Sequence, residues 1–399
     1  MPFNALIVSS DSFPARADER RRLGIPARRT HGAVRAVRLE GVPSKAARAL
    51  VEIMAGAGGC AQAASGRRGG GPVVILQGDG VHYHAFIEKA SRREPTRAAA
   101  LEVRDVLMRA STWPRALTLA RGRLPLGQRT LIMGILNVTP DSFSDGGRTL
   151  DPSRAVERAL QMVRDGADLI DIGGESTRPG AKPVPLKEEL RRVMPVLEAV
   201  AGSVRALPDR HPLLSVDTRK AEVARRAAAA GADLINDISG LTYDPAMAAA
   251  VADSGLPVVL QHIRGTPGTM QRNPRYRHLL PEIAAFLRAQ MEKAIRAGVR
   301  EDKIVIDPGI GFGKRRRDNL AILKDLKVLT SLGRPILIGA SRKSFLKETI
   351  ALPPAERLEA SLAAEALAIA GGADIIRVHD VREAVRVASL CDAVFRNTR

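Results

Sequence analysis

The residues with the clearest chemical potential in this sequence are polar side chains that follow short apolar runs. Eight such runs recur between residues 129 and 399, and each ends in a hydrogen-bond donor or acceptor. In chain order these polar residues are Asn137, Glu175 to Arg178, Asp217, Asn236, His262, Asp307, Ser341 to Lys343, and Arg377 with His379. A single such residue usually caps the next helix, but eight that meet on one face indicate a ligand site.

The types of these side chains predict the kind of ligand. Three are acceptors that suit a flat ring with N–H donors, namely Asp217, Asn236 and Asp307. Four are donors that suit phosphate oxygens, namely Arg178, Lys343, Arg377 and His379. Asn137 offers a neutral oxygen to a hard cation such as Mg²⁺. Together they predict a ligand with a hydrogen-bonding ring and an anionic phosphate group.

Motifs that do not occur narrow the chemistry further. The sequence contains no Gly-x-Ser-x-Gly pattern, no Walker A pattern and no obvious nucleophile–base pair. Transfer with departure of a phosphate-type group therefore fits better than acyl transfer or nucleotide hydrolysis.

The apolar runs are typical of strands in a buried parallel sheet, because they are apolar on both faces. Amphipathic helical patterns lie between most of them, and Gly166, Gly231 and Gly372 stand where helix C-caps belong. Eight alternating units predict a (β/α)₈ TIM barrel over residues 129–399, with all carboxyl strand ends on one face. An open doubly wound sheet is the alternative, but its GxGxxG fingerprint is absent after the first run.

Residues 1–128 differ from the rest of the chain in composition, because they contain Gly/Ala-rich and basic stretches. They predict a small α/β N-terminal extension of unknown role, partly flexible. The run PVVILQ at 72–77 predicts a strand, and residues 96–110 predict a helix with an apolar stripe. The segment RGRLPLGQR at 121–129 predicts a linker into the barrel.

Composition excludes several classes of protein. The 399-residue chain has 45% hydrophobic residues, enough for a sizeable core. Two cysteines far apart in sequence exclude a disulfide scaffold or zinc framework, and no apolar run is long enough for a membrane helix. The N-terminus lacks the pattern of a signal peptide, so we expect a cytoplasmic protein. A net charge of +19 predicts attraction to polyanions.

Seven motifs in the barrel region carry a close resemblance to the dihydropteroate synthase family of the folate pathway. They occur in the family's order and span essentially all of residues 129–399. The motifs are GILNVTPDSFSDGG (134–147), DIGGESTRPGA (171–181), SVDTRK (215–220), INDISG (235–240), DPGIGFGK (307–314), GASRKSF (339–345) and IRVHDV (376–381). The fold of that family is a (β/α)₈ barrel.

The resemblance implies a Mg²⁺-dependent condensation of 6-hydroxymethyl-7,8-dihydropterin diphosphate with 4-aminobenzoate, giving 7,8-dihydropteroate and diphosphate. By the family's pattern the pterin ring would bind to Asp217, Asn236, Asp307 and Lys343. Asn137, Arg377 and His379 would lie at the diphosphate, with Asn137 also on Mg²⁺. Candidates for the 4-aminobenzoate pocket are Thr177, Arg178, Phe312 and Ser344. We expect Asn137, Arg377, His379 and Lys343 to carry the catalysis, and the family implies a homodimer.

Some residues are given a structural interpretation instead. We expect Asp171 to be a structural strand residue, His262 to pack or bond at a strand end, and KRRR at 314–317 to be a solvated basic loop. Gln261 departs from the family, which often has Met there, and should alter one wall of the pterin pocket.

Three alternatives to an active synthase stay open at this point. One is a pterin-dependent methyltransferase, which would need no diphosphate site. Another is a non-catalytic binding paralogue. The third is nucleic-acid binding by the basic extension, which Trp113 and Tyr83 alone support poorly as a stacking surface. We expect small-molecule substrates and neither a membrane nor a nucleic-acid partner.

Overall fold

The computed structural model describes residues 4–9, 35–64, 71–111, 116–119, 122–139, 152–177, 180–207, 212–353 and 356–396. Contacts divide the chain into two compact units. The first unit comprises Met1–Trp113 and Lys324–Gly333, and the second comprises Pro114–Leu323 and Arg334–Arg399. This division differs from the boundary at 128/129 expected from sequence, and the assignment of a separate extension domain stays a prediction.

The first unit contains a four-stranded antiparallel sheet, in agreement with the expected small α/β extension. Its strands lie in the order β1 (Asn4–Ser9), β2 (Arg35–Glu40), β4 (Val73–Gly78) and β3 (Cys60–Ala64). The helices are α1 (Ser44–Gly56), α2 (Gly80–Ser91) and α3 (Glu94–Ser111). The Asp79 side chain begins α2 by accepting from the backbone of Val81 and His82, which satisfies free N–H groups of the first turn.

The second unit is the predicted barrel, and all eight expected strands are present. They are β7 (Leu131–Asn137), β8 (Leu169–Gly173), β9 (Leu213–Asp217), β10 (Leu234–Asp237), β11 (Val258–Gln261), β12 (Ile304–Asp307), β13 (Leu337–Ile338) and β14 (Ile375–Val378). The sheet order is β12-β11-β10-β9-β8-β7-β14-β13, with every pair parallel. A parallel bridge between Ile306 and Ile336 joins the two end strands. The (β/α)₈ prediction is confirmed.

Helices follow the strands and cover the sheet. They are α4 (Pro152–Asp165), α5 (Leu186–Arg205), α6 (Ala221–Ala229), α7 (Met247–Ser254), α8 (Leu279–Arg296), α9 (Arg316–Lys324), α10 (Ser344–Ile350), α11 (Leu358–Ala370) and α12 (Val381–Phe395). The glycines predicted at helix ends have the left-handed backbone such ends require, with φ of 109° at Gly166, 96° at Gly231 and 94° at Gly372. Among the described residues, no helix is long and apolar enough to span a membrane.

The predicted linker at 121–129 is wrong, because residues 122–125 form a strand of a β-hairpin and Leu126 is buried with the barrel strands. Strands β5 (Ala116–Leu119) and β6 (Gly122–Pro125) pair in antiparallel fashion. Leu117 and Leu126 are buried in one apolar cluster with residues from the amino ends of the barrel strands, among them Leu131, Leu169, Leu234, Leu337 and Ile375. The hairpin therefore closes the amino end of the barrel, opposite the carboxyl ends where the candidate residues lie.

Candidate active site

The carboxyl ends of four neighbouring strands present their candidate residues in a single layer. The strand pairing sets Asn137 beside Gly173, Gly173 beside Asp217, and Asp217 beside Asn236. A Cβ added at Gly173 would lie 3.4 Å from Cβ of Asp217, in van der Waals contact, which shows how close these two strand ends lie. The parallel register thus brings residues far apart in sequence to one mouth, as the sequence predicted.

A half-buried arginine and two buried carboxylates form the centre of this mouth. Arg377 donates from Nε to Oδ2 of Asp171 at 2.6 Å and from Nη2 to Oδ2 of Asp217 at 2.8 Å. Asp171 also accepts from the hydroxyl of Ser215 at 2.5 Å. Because Asp171 is fully buried, the charge of Arg377 compensates for its desolvation. Asp171 is therefore a structural strand residue, as expected, and it also orients Arg377.

Asn236 is held in one orientation by the same aspartate. Its Nδ2 donates to Oδ2 of Asp171 at 2.9 Å. Its Oδ1 is buried, and no donor among the described residues reaches it. A buried acceptor without a partner is costly. Asn236 therefore offers an acceptor that an N–H group of a bound ligand can satisfy.

Burial raises the pKa of two carboxyl groups at the mouth, Asp217 and Asp307. Burial raises the pKa of Asp217 to about 7, against the opposing effect of Arg377. Burial likewise raises the pKa of Asp307, while Lys343 opposes it. One oxygen of Asp307 accepts from the backbone N–H of Gly309 at 2.6 Å. Both carboxyls lie in an environment of the kind in which functional groups are tuned.

The loop after β12 turns sharply three times on alternate glycines. Gly309, Gly311 and Gly313 have φ of 69°, 83° and 67°. A Cβ at Gly309 would lie 2.0 Å from the carbonyl oxygen of His262, and one at Gly313 would lie 2.5 Å from that of Arg264. The GIGFG part of the motif is thus required by backbone geometry as well as by any ligand.

Lys343 and Phe312 meet on the inner side of this loop. The ammonium group of Lys343 donates to the carbonyl of Ile310 at 2.5 Å and lies 4.5 Å from the centre of the Phe312 ring. Desolvation lowers the pKa of Lys343 to about 8. Phe312 itself is packed with Ile238, Ile263 and Met270 in a small apolar cluster.

His379 follows β14 and is tied to the loop after β13. Its Nδ1 lies 3.1 Å from the hydroxyl of Ser341. Burial and the nearby Arg377 lower its pKa to about 4, so the ring is neutral at physiological pH. Asp380 pairs with the guanidinium of Arg342, at 3.0 Å from Nε. His379 is therefore a neutral hydrogen-bonding group, in contrast to Arg178, Lys343 and Arg377, with which it was grouped as a donor to phosphate oxygens.

The remaining predicted site residues lie on loops at the same end. Asn137 is exposed at the end of β7, Thr177 is half-buried beyond β8, and Ser344 is exposed at the first position of α10. Arg178 lies outside the described residues, as do residues 140–147 of the first long motif.

Sequence reasoning missed a buried ion network beside the mouth. Glu175 accepts from Nη2 of Arg219 at 2.6 Å and from Nζ of Lys220 at 2.7 Å. Lys220 also pairs with Glu189, whose other oxygen accepts from Thr218 at 2.6 Å. This network ties the loop after β8 to the loop after β9. Three of these charged residues, Glu175, Arg219 and Lys220, lie in the motifs GGEST and DTRK. The opposite charges of the two motifs were the signal that the sequence offered for an ion network.

The expected solvated basic loop at 314–317 is wrong for its first residue. Lys314 is 2% exposed, and its Nζ lies 2.9 Å from Nδ1 of His262. Arg315 pairs with Asp318, and helix α9 begins at Arg316. His262 is buried, as expected of a packing residue, with its ring edge against Phe286. Gln261 is also buried and donates to the carbonyl of Ile238 at 3.3 Å.

The described residues contain no group of three His, Cys, Asp or Glu side chains that could enclose a metal ion. Such a cage is not what Mg²⁺ usually needs, since it keeps several waters and binds one or two protein oxygens together with substrate phosphates. The exposed side-chain oxygen of Asn137 fits that mode of binding.

Comparison with known proteins places this mouth in a family. The family model described as pterin binding enzyme matches residues 133–379. The chain is 46% identical over 285 residues to the dihydropteroate synthase of Synechocystis sp., covering 71% of this chain and 96% of that protein. The chain belongs to the pterin binding enzyme family. The predictions of dihydropteroate synthase activity and of a transferase are thereby confirmed.

Solved structures of synthases agree with the assignment. The Xanthomonas albilineans dihydropteroate synthase with 4-aminobenzoic acid is 44% identical, has a TM-score of 0.64, and is matched over 70% of this chain and 98% of that one. The Burkholderia cenocepacia enzyme complexed with 7,8-dihydropteroate is also 44% identical, has a TM-score of 0.62, and is matched over 71% and 97%. Pterin binding therefore belongs to the barrel unit.

Proposed function

We propose that this protein condenses 6-hydroxymethyl-7,8-dihydropterin diphosphate with 4-aminobenzoate. The observation that carries the proposal is one mouth that combines the unsatisfied acceptor of Asn236 and the carboxylates of Asp217 and Asp307 with the cations Arg377 and Lys343. The products are 7,8-dihydropteroate and diphosphate. The synthases solved with 4-aminobenzoic acid and with 7,8-dihydropteroate support both the arylamine and the product.

The acceptors of the mouth would bind the pterin ring. A carboxylate at Asp217 or Asp307 can take two N–H bonds from the 2-amino and N3 edge, and such charge-assisted bonds are short and strong. The free oxygen of Asn236 would take a further N–H. Lys343 would donate to a ring acceptor, which gives the pterin one orientation in the barrel.

Two hydrogen-bond donors of the mouth, the cationic Arg377 and the neutral His379, would stabilise the leaving diphosphate. The bond between the pterin methylene carbon and the bridging oxygen breaks, and its electron pair departs with the diphosphate. Arg377 and His379 would hydrogen-bond to the phosphate oxygens as their negative charge grows. Binding of diphosphate by Arg377 would release part of its hold on Asp217, which then becomes available to the pterin.

The arylamine nitrogen would form the new bond to the methylene carbon. It attacks as a neutral amine and then loses a proton to solvent, so the mouth needs no strong general base. We place the 4-aminobenzoate ring against Phe312, with Thr177, Arg178 and Ser344 around its carboxylate. Loops that close over the site would exclude water, which otherwise would capture the electron-poor carbon.

Mg²⁺ would be bound through Asn137 and the diphosphate oxygens. Bound there, the ion neutralises charge on the leaving group. Asn137, at the end of β7, would then supply one oxygen ligand to the ion.

The test is an assay of the purified full-length protein with both substrates and Mg²⁺, followed by chromatography of pteroate. Formation of 7,8-dihydropteroate supports the proposal. Pterin binding without turnover would instead favour a non-catalytic paralogue, and methyl transfer from a methylated pterin would favour the methyltransferase alternative. Arg129→Ala is a suitable control, because its partner Asp168 lies at the amino end of β8, away from the mouth.

We further propose a homodimer in the cytoplasm. Leu367 on α11 and Leu390, Val394 and Phe395 on α12 are 58%, 69%, 62% and 57% exposed. Exposed apolar residues on adjoining helices commonly mark an interface between subunits. Light scattering should give twice the monomer mass, and Leu390→Asp should shift it toward the monomer. Both cysteines, Cys60 and Cys391, are free thiols, as in a reducing compartment.

A further inference from the structure

The loop after β12 is held by side-chain hydrogen bonds to its backbone carbonyls. Its four consecutive carbonyls, 310 to 313, each accept one side-chain hydrogen bond. The donors are Lys343 to Ile310 at 2.5 Å, Gln271 to Gly311 at 2.9 Å, Lys314 to Phe312 at 3.0 Å, and Tyr276 to Gly313 at 2.8 Å. Lys343 belongs to the mouth itself, but Gln271, Tyr276 and Lys314 do not.

Lys314 is the buried member of this set. Its Nζ contacts the Phe312 carbonyl and Nδ1 of His262, and His262 is fixed by other contacts. The His262 backbone N–H donates to the Asp307 carbonyl at 2.8 Å, and its ring packs edge-on against Phe286 at 4.8 Å. Lys314 thus joins the backbone of Phe312 to the end of the neighbouring strand β11.

The chemistry of Lys314 suits a support rather than a reacting group. Burial lowers its pKa well below the ordinary value, and the carboxylates of Asp307 and Asp318 oppose that effect. Its Nζ is engaged by the carbonyl and the imidazole and lies behind the loop. A lysine is a costly residue to bury, so its bonds to the loop must offset a considerable desolvation penalty.

We propose that Lys314 is a positioning residue that sets the Phe312 ring for the arylamine substrate, with Gln271 assisting from the loop after β11. The proposal rests on the function proposed above. The Phe312 carbonyl and ring belong to one residue between two left-handed glycines, Gly311 and Gly313. If its carbonyl is released, the ring loses a fixed direction, whereas the pterin acceptors on β9 and β10 keep their own contacts.

The principal test compares Lys314→Met with the parent in steady-state kinetics. Met keeps the length and removes the donor. We expect the KM for 4-aminobenzoate to rise about tenfold, as for the loss of one buried hydrogen bond. The KM for pterin diphosphate should change less than about threefold, because Lys314 makes its hydrogen bonds to Phe312 and His262 and none to the pterin acceptors. Equal increases in both KM values, or no change in either, would overturn the proposal.

Two further variants separate positioning from general destabilisation. Lys314→Gln keeps an N–H donor and should recover part of the 4-aminobenzoate affinity. Gln271 is exposed, so Gln271→Leu should fold normally and raise the same KM by a smaller factor. If Lys314→Met does not fold, an unchanged KM in Gln271→Leu overturns the proposal.

A matched control is Lys303→Met. Lys303 also gives its ammonium group to one backbone carbonyl, that of Gly255, but at the amino end of the barrel. It should leave both KM values unchanged, and a rise in the KM for 4-aminobenzoate would contradict the assignment to the loop.

Failure of this proposal is distinguishable from failure of the proposed function. If the parent shows no turnover, the function fails. In that case calorimetry with 4-aminobenzoate in the presence of a pterin and diphosphate still measures whether Lys314→Met weakens arylamine binding selectively, and unchanged binding overturns the positioning role.

Discussion

At the scale of single residues, Asp217 and Lys343 link binding in the mouth to pH. Burial raises the pKa of Asp217 to about 7, so its carboxylate form gains population as the pH rises through that value. Desolvation lowers the pKa of Lys343 to about 8, so its ammonium form is lost above that value. The carboxylate of Asp217 would accept hydrogen bonds from N–H groups of the pterin ring. The ammonium group of Lys343 would donate to acceptors of the ligand.

We therefore predict a bell-shaped pH profile for kcat/KM of pterin diphosphate, highest between about pH 7 and about pH 8. The measurement is kcat/KM from about pH 5.5 to about pH 9.5 in buffers of constant ionic strength. Asp217→Asn should remove the acid limb. An unchanged acid limb in that variant would assign it to another group.

Asp217 and Arg377 should fail in different ways when truncated. Asp217→Ala removes acceptors for the pterin, so we predict a rise of about tenfold to a hundredfold in its KM. Arg377→Ala removes charge that stabilises the leaving group, so kcat should fall by about a hundredfold or more. Steady-state kinetics at saturating 4-aminobenzoate checks both. Near-normal values for either variant would contradict the role assigned to it.

The sequence predicts the position of a candidate residue well where that residue lies at the carboxyl end of a strand. Asp217, Asn236, Asp307 and Arg377 were found because alternation of strands and helices fixes which ends share a face. The partnership of Arg377 with Asp171 spans 206 positions and leaves no local pattern. Lys314 was misjudged because a run of four basic residues normally lies in solvent, and its burial depends on His262, 52 positions away.

At the scale of elements, the hairpin of β5 and β6 covers the amino end of the barrel, away from the mouth. We therefore expect it to contribute to stability and not to catalysis. Leu117 is fully buried in the cluster at the amino end of the barrel. We predict that Leu117→Ala lowers the free energy of unfolding by about 2–5 kcal/mol through the cavity it leaves. The kcat of the folded enzyme should not change, because the mouth lies at the opposite strand ends.

Thermal unfolding and kinetics together check this prediction. Leu124→Ala is the matched control, since Leu124 packs only partly buried against the same cluster and should cost less. A large fall in kcat without loss of stability would contradict this prediction, because it would show that the hairpin affects catalysis at the mouth.

The elements also mark where sequence reasoning reached its limit. Long amphipathic helices were predictable, and the helix expected at 96–110 is observed as Glu94–Ser111. The hairpin was not, because its two strands have four residues each and include Gly122 and Pro125, which normally indicate a loop. Its pairing is visible only once the amino ends of the barrel strands offer an apolar surface.

At the scale of the whole molecule, the first unit includes a short piece of chain from far along the sequence. Residues Lys324–Gly333 belong with Met1–Trp113. The 3₁₀ helix Leu326–Leu332 in that piece buries Leu326 and Leu329 completely. The N-terminal region is therefore part of a folded unit that also contains residues from between α9 and β13.

We predict that Leu329→Ala lowers the free energy of unfolding of the full-length protein by about 2–5 kcal/mol. Differential scanning calorimetry measures this as a lower Tm. Thr330→Ala is the neighbouring control, because the Thr330 hydroxyl bonds only to the carbonyl of Lys327 and should cost about 1 kcal/mol or less. Equal effects would mean that the buried leucine contributes no more than a surface contact.

The net charge of +19 is shared between the N-terminal region and the barrel, and an anionic substrate explains only a part of it. More than half of the excess lies in residues 1–128, away from the motifs of the family. In the barrel, only a few cations, chiefly Lys343 and Arg377, are explained by an anionic substrate.

The central claim is that the barrel mouth joins a pterin to an arylamine with loss of diphosphate. One time course tests it most directly, with both products measured from full-length protein and both substrates. The account predicts equal amounts of 7,8-dihydropteroate and diphosphate, neither of which forms without 4-aminobenzoate. Diphosphate released without 4-aminobenzoate, or no product from protein that binds the pterin, would contradict it.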